Sequence, residues 1–380
     1  MDLSLTPEQK KLQESARDFL KRECPWTLVK QIDDSETGFS SELWQKIVSQ
    51  GWVGASIPKK YGGTERSITD LGILYEEIGH ALLPGPYFSS AVLCASIILE
   101  LGTEQQKRQL LPALARGQKI LTLALTEPDY GWGPECIHLS AYRKGRSYVL
   151  NGTKLFVHDA QIANQIICVT RTRKSNNPTG GISLFLVDKK TPGLSCRSLS
   201  GFAGEKLNKL TFKSVEVPES NMLGEKDKGW PALAKPLNKA TLLLSAYMLG
   251  GCETVLDMTV KHAQTRIQFG LPVGSFQWVQ SYIIEQANHL ERARWFIYEA
   301  LWKLDVNKSE KEQDEAVSLA KAVSSEAFHE CAHLGHEVHA GIGVQKGYPL
   351  YLYSKKAKTL YAYLGDPAYH RKRISQLLRL

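Results

Sequence analysis

The sequence lacks the marks of several protein classes. Its seven cysteines, at 24, 94, 136, 168, 196, 252 and 331, are odd in number and contain no Cys-x-x-Cys pair. That argues against a disulfide frame or a zinc ribbon and predicts buried free thiols in a reducing compartment. No long apolar run is present: the most apolar stretch, Ala240 to Cys252, is too short to cross a bilayer. The segment Met1 to Gln9 has neither a basic cluster nor an apolar signal core, so a soluble, cytoplasmic protein with no membrane partner is expected. Acidic residues are in modest deficit, leaving a net charge of +8. The bases are spread along the chain, densest at Lys355, Lys356 and Lys358 and at Arg371, Lys372 and Arg373. No nucleic-acid motif accompanies them, so they are expected to be solvated helix faces and not a nucleic-acid surface. Repeats and low-complexity tracts are also lacking.

What is present is ample core material, 43% apolar residues in 380, arranged in three stretches of different period. Thr6, Pro7, Glu8 and Gln9 read as an N-cap, a first-turn proline and a capping box, followed by Leu12, Ala16, Phe19 and Leu20 at helical spacing. Ser40 or Ser41 caps a second helix through Trp44, Ile47 and Val48. Further helical patterns cover Ile68–Gly79, Phe88–Leu101 and Glu104–Ala115. Near residue 120 the period changes. Tyr148 to Val157 reads as two strands around an Asn151-Gly152 turn, the strongest short hairpin signal. Ile166–Val169 and Ile182–Val187 read as buried strands, and Leu207–Val217 alternates. From about Gly229 the helical period returns, over Lys239–Arg266, Phe276–Asp305, Gln313–Gly335 and Arg371–Leu378, with Lys308–Gln313 as a charged linker. Helices, strands, then helices predict an α+β fold with a β-insert: a helical domain over 1–118, a β-domain over 119–228 and a helical bundle over 229–380.

The most conspicuous short motif is His329-Glu330-Cys331-Ala332-His333, which satisfies HExxH, the zinc-peptidase helix. His339 stands ten residues after His329, where a third ligand would come. The helix-ending Gly of the longer pattern is replaced by His336 and no Met-turn follows, so no metal is expected and a zinc hydrolase is only a remote alternative.

A more coherent set is spread along the chain: Thr126-Glu127-Pro128 with Gly131; Gly152 to Val157; Arg266 to Gln277; His339 to Gly343; and Leu364-Gly365-Asp366. Each alone reads as a turn or a helix cap. Together and in this order they resemble the acyl-CoA dehydrogenase family over essentially the whole chain. The resemblance is to bacterial members that work as mixed two-subunit assemblies, whose ending is like Leu364, Gly365, Asp366, His370 and Arg371. It implies a central antiparallel β-domain, a C-terminal four-helix-type bundle, FAD, an acyl-CoA thioester substrate and an electron-transfer flavoprotein as acceptor. It also implies an α2β2 assembly with a second such subunit, or a homotetramer, in β-oxidation-like catabolism. Carried over position by position, Thr126 places backbone donors at the flavin pyrimidine ring. Phe156 stands where the family has Trp, and His158 where it often has Thr. Arg266, Phe269 and Gln277 reach a neighbour's FAD, and Glu337 and Gly341 meet its phosphates.

The pattern breaks at the base. The family's reaction removes an α-proton with a carboxylate as the β-hydride leaves. The positions that carry this carboxylate in one member or another are here Leu364, Ala240 and Tyr247. A Tyr with a pKa near 10 is a poor substitute, and Asp366 and Glu253 are lesser candidates. Asn238 and Thr241 replace the Asp and Arg that grip the CoA adenosine, Trp132 replaces a small hydroxyl, and Glu337 replaces a Gln. The expectation is a dehydrogenase subunit, with or without the catalytic Glu; the alternative is a structural partner that completes the FAD site of a catalytic subunit.

Overall fold

The structure is a computed structural model that describes residues 4–199, 201 and 206–379. Its helices are α1 (Pro7–Glu23), α2 (Trp26–Asp34), α3 (Ser41–Ser49), α4 (Ile68–His80), α5 (Ala95–Leu101), α6 (Glu104–Ala115), α7 (Gly229–Thr265), α8 (Gln277–Asp305), α9 (Glu310–His339), α10 (Leu350–Ala362) and α11 (Pro367–Leu378). The strands are β1 (Leu121–Ala124), β2 (Ser140–Lys144), β3 (Ser147–His158), β4 (Gln165–Arg171), β5 (Ile182–Asp188), β6 (Leu194–Leu199), β7 (Leu207–Pro218), β8 (Met222–Leu223), β9 (Ile267–Gln268) and β10 (Leu271–Pro272). Contacts divide the chain into two compact units. One comprises residues 1–31, 67–83 and 241–380; the other comprises 32–66 and 84–240.

In the second unit the strands form one sheet in the order β6-β7-β3-β2-β4-β5-β8, with β1 beside β4. The sheet is antiparallel except where β1 runs parallel to β4 and where Ser140 of β2 meets Arg171 of β4. Its inner face buries Tyr148, Leu150, Cys168, Phe185, Leu210, Phe212 and Val215. Each of the larger side chains contributes about 2 kcal/mol by leaving water. The Asn151-Gly152 hairpin is a wrong expectation: β3 runs straight through both residues. Gly152 takes φ 146° opposite Leu139, and its register shift against β7 is a β-bulge. The true hairpin joins β2 to β3, where Lys144 pairs with Ser147 and Gly145 has φ 63°. A Gly followed by one residue is the other favoured two-residue turn.

Within the helices, the expected Thr6–Gln9 capping box forms in both directions (3.2 and 3.0 Å). Ser309 and Glu312 form another, so the predicted charged linker is in part the first turn of α9. The predicted helix over Phe88–Leu101 is divided: Tyr87–Cys94 is a π-helix that continues into α5.

In the first unit α4 and α7 approach backbone to backbone. A Cβ on Gly79 would lie 1.9 Å from the Tyr247 carbonyl oxygen, and one on Gly250 would lie 1.9 Å from that of Glu76. Buried charge fixes this contact. Glu76 accepts from Tyr298 (2.7 Å) and Arg294 (3.1 Å), and Arg294 also reaches Glu253 (3.0 Å). Arg17 grips Glu77 through two bonds (2.9 and 2.7 Å). Burial pushes the Glu76 carboxyl up to about 7, against the opposing pull of Tyr298 and Arg294.

Candidate functional site

In the strand unit, the segment after β1 is anchored by a buried ion pair. Lys154 of β3 is wholly buried and donates to Glu127 (2.6 Å) and to the Leu125 carbonyl (2.9 Å). The Glu127 carboxylate also accepts from the backbone of His138 and Leu139 (3.0 Å each). The buried carboxylate is therefore met by three donors, one of them shared between its two oxygens. Directly beside this pair, the Leu155 N–H donates to the Thr126 carbonyl (2.9 Å). Thr126, one expected flavin contact, is thus tied by backbone to the residue before Phe156, another.

Phe156 and Tyr130 both adopt positive φ, 54° and 48°, which aims exposed rings outward. Their centroids lie 5.8 Å apart edge to face, and Tyr130 meets Trp132 at 5.3 Å. The result is an aromatic cluster on the surface of this unit. His158 follows on the same strand, and its carbonyl accepts from Thr122 Oγ1 (2.6 Å). The loop carrying Trp132 is tied down from behind by Arg171. Its guanidinium donates to the carbonyls of Pro134 (2.6 Å), Ile137 (3.0 Å), Pro178 (3.0 Å) and Gly180 (2.6 Å).

In the helical unit, Arg266, Phe269 and Gln277 lie on one short arm. Arg266 follows the end of α7, β9 and β10 form a two-stranded ribbon, and Gln277 opens α8. The Val273 N–H returns to the Arg266 carbonyl (2.8 Å), which closes the arm on itself. Phe269, at φ 53°, is 92% exposed and touches only the edge of Phe276 at 6.1 Å among the ring contacts described. Arg266 and Gln277 are exposed, and Arg266 makes no ion pair among the described residues. Glu337 and Gly341 are exposed at the end of α9. The two ends are joined because His262 of α7 stacks on buried His339 of α9 at 4.4 Å.

Leu364 is half-buried in a turn at φ 60°, and Ala240 and Tyr247 are buried in α7. Asp366 caps α11 by accepting from the Tyr369 N–H (2.7 Å), and Glu253 is bound to Arg294. Both lesser candidates therefore have structural duties.

The HExxH helix does not build a metal centre. His333 is exposed, and His329 packs its ring against the edge of Tyr361 (5.6 Å). Both nitrogens of His339 are in use, Nδ1 at the Gly335 carbonyl (2.7 Å) and Nε2 at the Tyr348 hydroxyl (3.0 Å). Among the described residues, three potential ligands converge only at Glu76, His80 and Glu253, where Arg294 already neutralises both carboxylates.

Sequence reasoning missed Tyr130, Lys154, Arg171 and His262. The signal for Lys154 was a charge inside an apolar strand run, which demands a buried partner. Tyr130, Arg171 and His262 left no comparable mark.

Models of the acyl-CoA dehydrogenase N-terminal, middle and C-terminal domains match residues 6–118, 122–215 and 227–378. The chain is similar to acryloyl-CoA reductase (NADH) of Anaerotignum propionicum, with 31% identity over 98% of this chain and 94% of the relative. It is also similar to the caffeyl-CoA reductase-Etf complex subunit CarC of Acetobacterium woodii, with 29% identity over 98% of each. Among solved structures, a chain of the ChsE4-ChsE5 complex from Mycobacterium tuberculosis superposes with a TM-score of 0.89 at 26% identity, covering 100% of this chain and 99% of that one.

Proposed function

The chain belongs to the acyl-CoA dehydrogenase family, oxidoreductases that use FAD on acyl-CoA thioesters, and from that premise we propose that it is the subunit of a mixed assembly that completes a partner's flavin site without supplying the α-proton base. The observation that carries this reading is the turn at Leu364. The family's usual carboxylate position holds an alkyl side chain, and the nearby Asp366 is spent as a helix cap. Glu253, the other acidic candidate, is spent on Arg294.

The residues present fit FAD. The outward cluster of Phe156, Tyr130 and Trp132 is a surface on which a flat ring system stacks. Thr126, Phe156 and His158 would hold the ring system, on a strand braced by Glu127 and Lys154. The exposed Arg266 has its guanidinium fork available for a pyrophosphate, and Phe269 and Gln277 stand beside it. Gly341 has no heavy atom within 4 Å of its missing Cβ, so its backbone is open to close approach by phosphate, with Glu337 nearby on the same helix end. FAD, when bound, supplies the hydride-transfer chemistry. This chain's own residues orient and cover it, and none is placed as a free carboxylate at the family's base positions.

The partner is a second acyl-CoA dehydrogenase-like subunit in an α2β2 assembly, and the redox partner is an electron-transfer flavoprotein. The relative from Acetobacterium carries Etf in its name, and the mycobacterial neighbour comes from a two-chain complex. All seven cysteines are free thiols, and no helix among the described residues is long and apolar enough to cross a membrane, which supports a cytoplasmic setting. The test is co-expression with a candidate partner that carries the Glu, followed by flavin counting. The chain alone is expected to be colourless and the pair yellow, with fewer than one FAD per chain. A homotetramer of this chain holding one FAD per chain would overturn the reading.

A further inference from the structure

Lys321 lies in the middle of α9 and is wholly buried. A buried ammonium normally has a carboxylate partner, yet among the described residues none pairs with it. Instead its Nζ sits in a cage of backbone oxygens: Leu360 (3.2 Å), Tyr361 (3.2 Å) and Gly365 (2.9 Å), with Ser325 Oγ at 2.7 Å. The first two are carbonyls from the last turn of α10, which no later helical N–H can reach and which form the negative end of the helix dipole. The third belongs to the residue after Leu364, at φ 111°. From α11, buried His370 directs Nε2 at the Leu364 carbonyl (3.1 Å), and the Gly365 N–H takes the Ala362 carbonyl (3.2 Å). The turn from α10 to α11 is therefore fixed almost entirely through its carbonyls, and Lys321 holds three of them.

We propose that Lys321 is the positioning residue for the Leu364–Gly365–Asp366 turn, and that the protonation of its amine sets how firmly that turn is held. An ammonium has three N–H bonds for four oxygens, the three carbonyls and Ser325 Oγ, and each bond is charge-assisted. A neutral amine has two N–H bonds, and its lone pair can accept from the Ser325 hydroxyl. Deprotonation therefore leaves the three carbonyls sharing two uncharged donors, and every bond that holds the turn weakens. The groups facing Lys321 are Ser325 on its own helix, Tyr361 on α10, Asp366 in the turn and His370 on α11. Burial pushes Lys321 down to about 7, and the charge of Asp366 opposes that fall. Burial pushes His370 down to about 3, helped by the charge of Lys321, so the imidazole stays neutral in this window. Nearby Arg373 is paired with Asp314 (3.1 Å) and Arg371 with Glu326.

The sign distinguishes this device from a merely structural lysine. The unfolded lysine keeps its proton to a higher pH than the folded one. The contribution of Lys321 to global stability therefore rises as pH increases from about 7 toward 10.5. The turn, by contrast, loosens over the same interval, because its local opening leaves the amine buried in α9 and breaks only bonds that are charge-assisted when the amine is protonated. The inference goes beyond the function proposed above and holds whether or not the chain binds flavin. It is tested by hydrogen exchange of the full chain, in its native assembly, from pH 6 to 9, corrected for intrinsic exchange. Protection over residues 360–370 is expected to fall about fivefold with rising pH, the factor for a weakening equal to the net worth of about one hydrogen bond. Lys321→Arg keeps its cation and is expected to give a flat, high profile, and Lys321→Met a flat, low one. A wild-type profile flat across the range overturns the proposal and needs no variant to fold. So does a Lys321→Arg profile that falls like the wild type.

Discussion

The strand segment from Thr126 to His158 and the arm from Arg266 to Gln277 both carry expected flavin contacts, yet they are built in opposite ways. The first is backed by two anchored polar groups: buried Glu127 against buried Lys154, and half-buried Arg171 against four carbonyls. Its aromatic rings stand on the surface, but their backbone is fixed from behind. The arm has two-residue strands, and Phe269 stands 92% exposed. Ile267, Leu271 and Trp278 are more than half exposed beside it. The first region is finished within one chain, whereas the arm presents apolar surface with nothing of its own to cover it. An arm that exposes this much apolar surface is what the proposed role of reaching a neighbouring subunit requires.

Breaking the backing of the first region gives the largest expected effect. Lys154→Met leaves the Glu127 carboxylate buried and unpaired, which costs about 3–5 kcal/mol. Denaturant unfolding of the variant measures the loss. Lys154→Met combined with Glu127→Leu should recover part of it, because the stranded charge is gone. A single variant within 0.5 kcal/mol of wild type would mean that the pair does not brace the strand.

The turn at Leu364 belongs to the same class of backed structure, and pH tests it. His370 has its folded pKa lowered to about 3, so its contribution to stability is full above about 6.5 and is lost as pH falls toward 3. Replacing it with Gln retains a side-chain donor and removes the titration. The acid limb of the stability profile should then flatten by up to a few kcal/mol. An unchanged acid limb would show that the imidazole is not the group that fails.

The arm should behave in the reverse manner. Arg266→Ala is expected to leave the unfolding free energy within about 0.5 kcal/mol, as for other exposed changes. In the assembled protein, it is expected to weaken FAD retention about tenfold to a hundredfold through the loss of a charge-assisted phosphate contact. Flavin release measured by fluorescence separates the two effects. A strong loss of stability with normal flavin retention would remove the contrast between the regions.

How far the sequence carried this picture depended on the range of the interactions involved. The capping box at Thr6 and the helix starting near Ser40 were legible because caps are local. Asn151-Gly152 misled because the pair has the residues of a turn but sits where β7 pairs with β3 on both sides of it. Gly152 there relieves a clash with Leu139, a neighbour thirteen positions away. The short turn at Gly145 carried a weaker local signal and forms the hairpin. For the site, the order of motifs singled out Thr126, Phe156 and Arg266 as expected flavin contacts, because they lie on or beside continuous stretches. Lys321 and His370 could not be assigned a role, because a buried lysine in a helix and a histidine in another become partners only through the turn between α10 and α11.

The smallest expected effect addresses Asp366, the acidic residue two positions after Leu364. Asp366 follows Gly365, and proximity alone would make it the substitute base. Its carboxylate, however, accepts from the Tyr369 N–H at 2.7 Å as the N-cap of α11. Asn caps as well as Asp, so Asp366→Asn should change stability by only a few tenths of a kcal/mol, whereas Asp366→Ala should cost about 1 kcal/mol. If Asp366 is only a cap, the Asn variant keeps whatever turnover the assembled enzyme has. A base would lose it by orders of magnitude, since an amide cannot accept the α-proton. The same substitution removes the charge that holds the Lys321 amine up, so the loosening of the turn should shift to lower pH in Asp366→Asn. A single variant thus asks whether the carboxylate beside Leu364 serves chemistry or holds the turn, and full turnover with a shifted exchange profile assigns it to the turn.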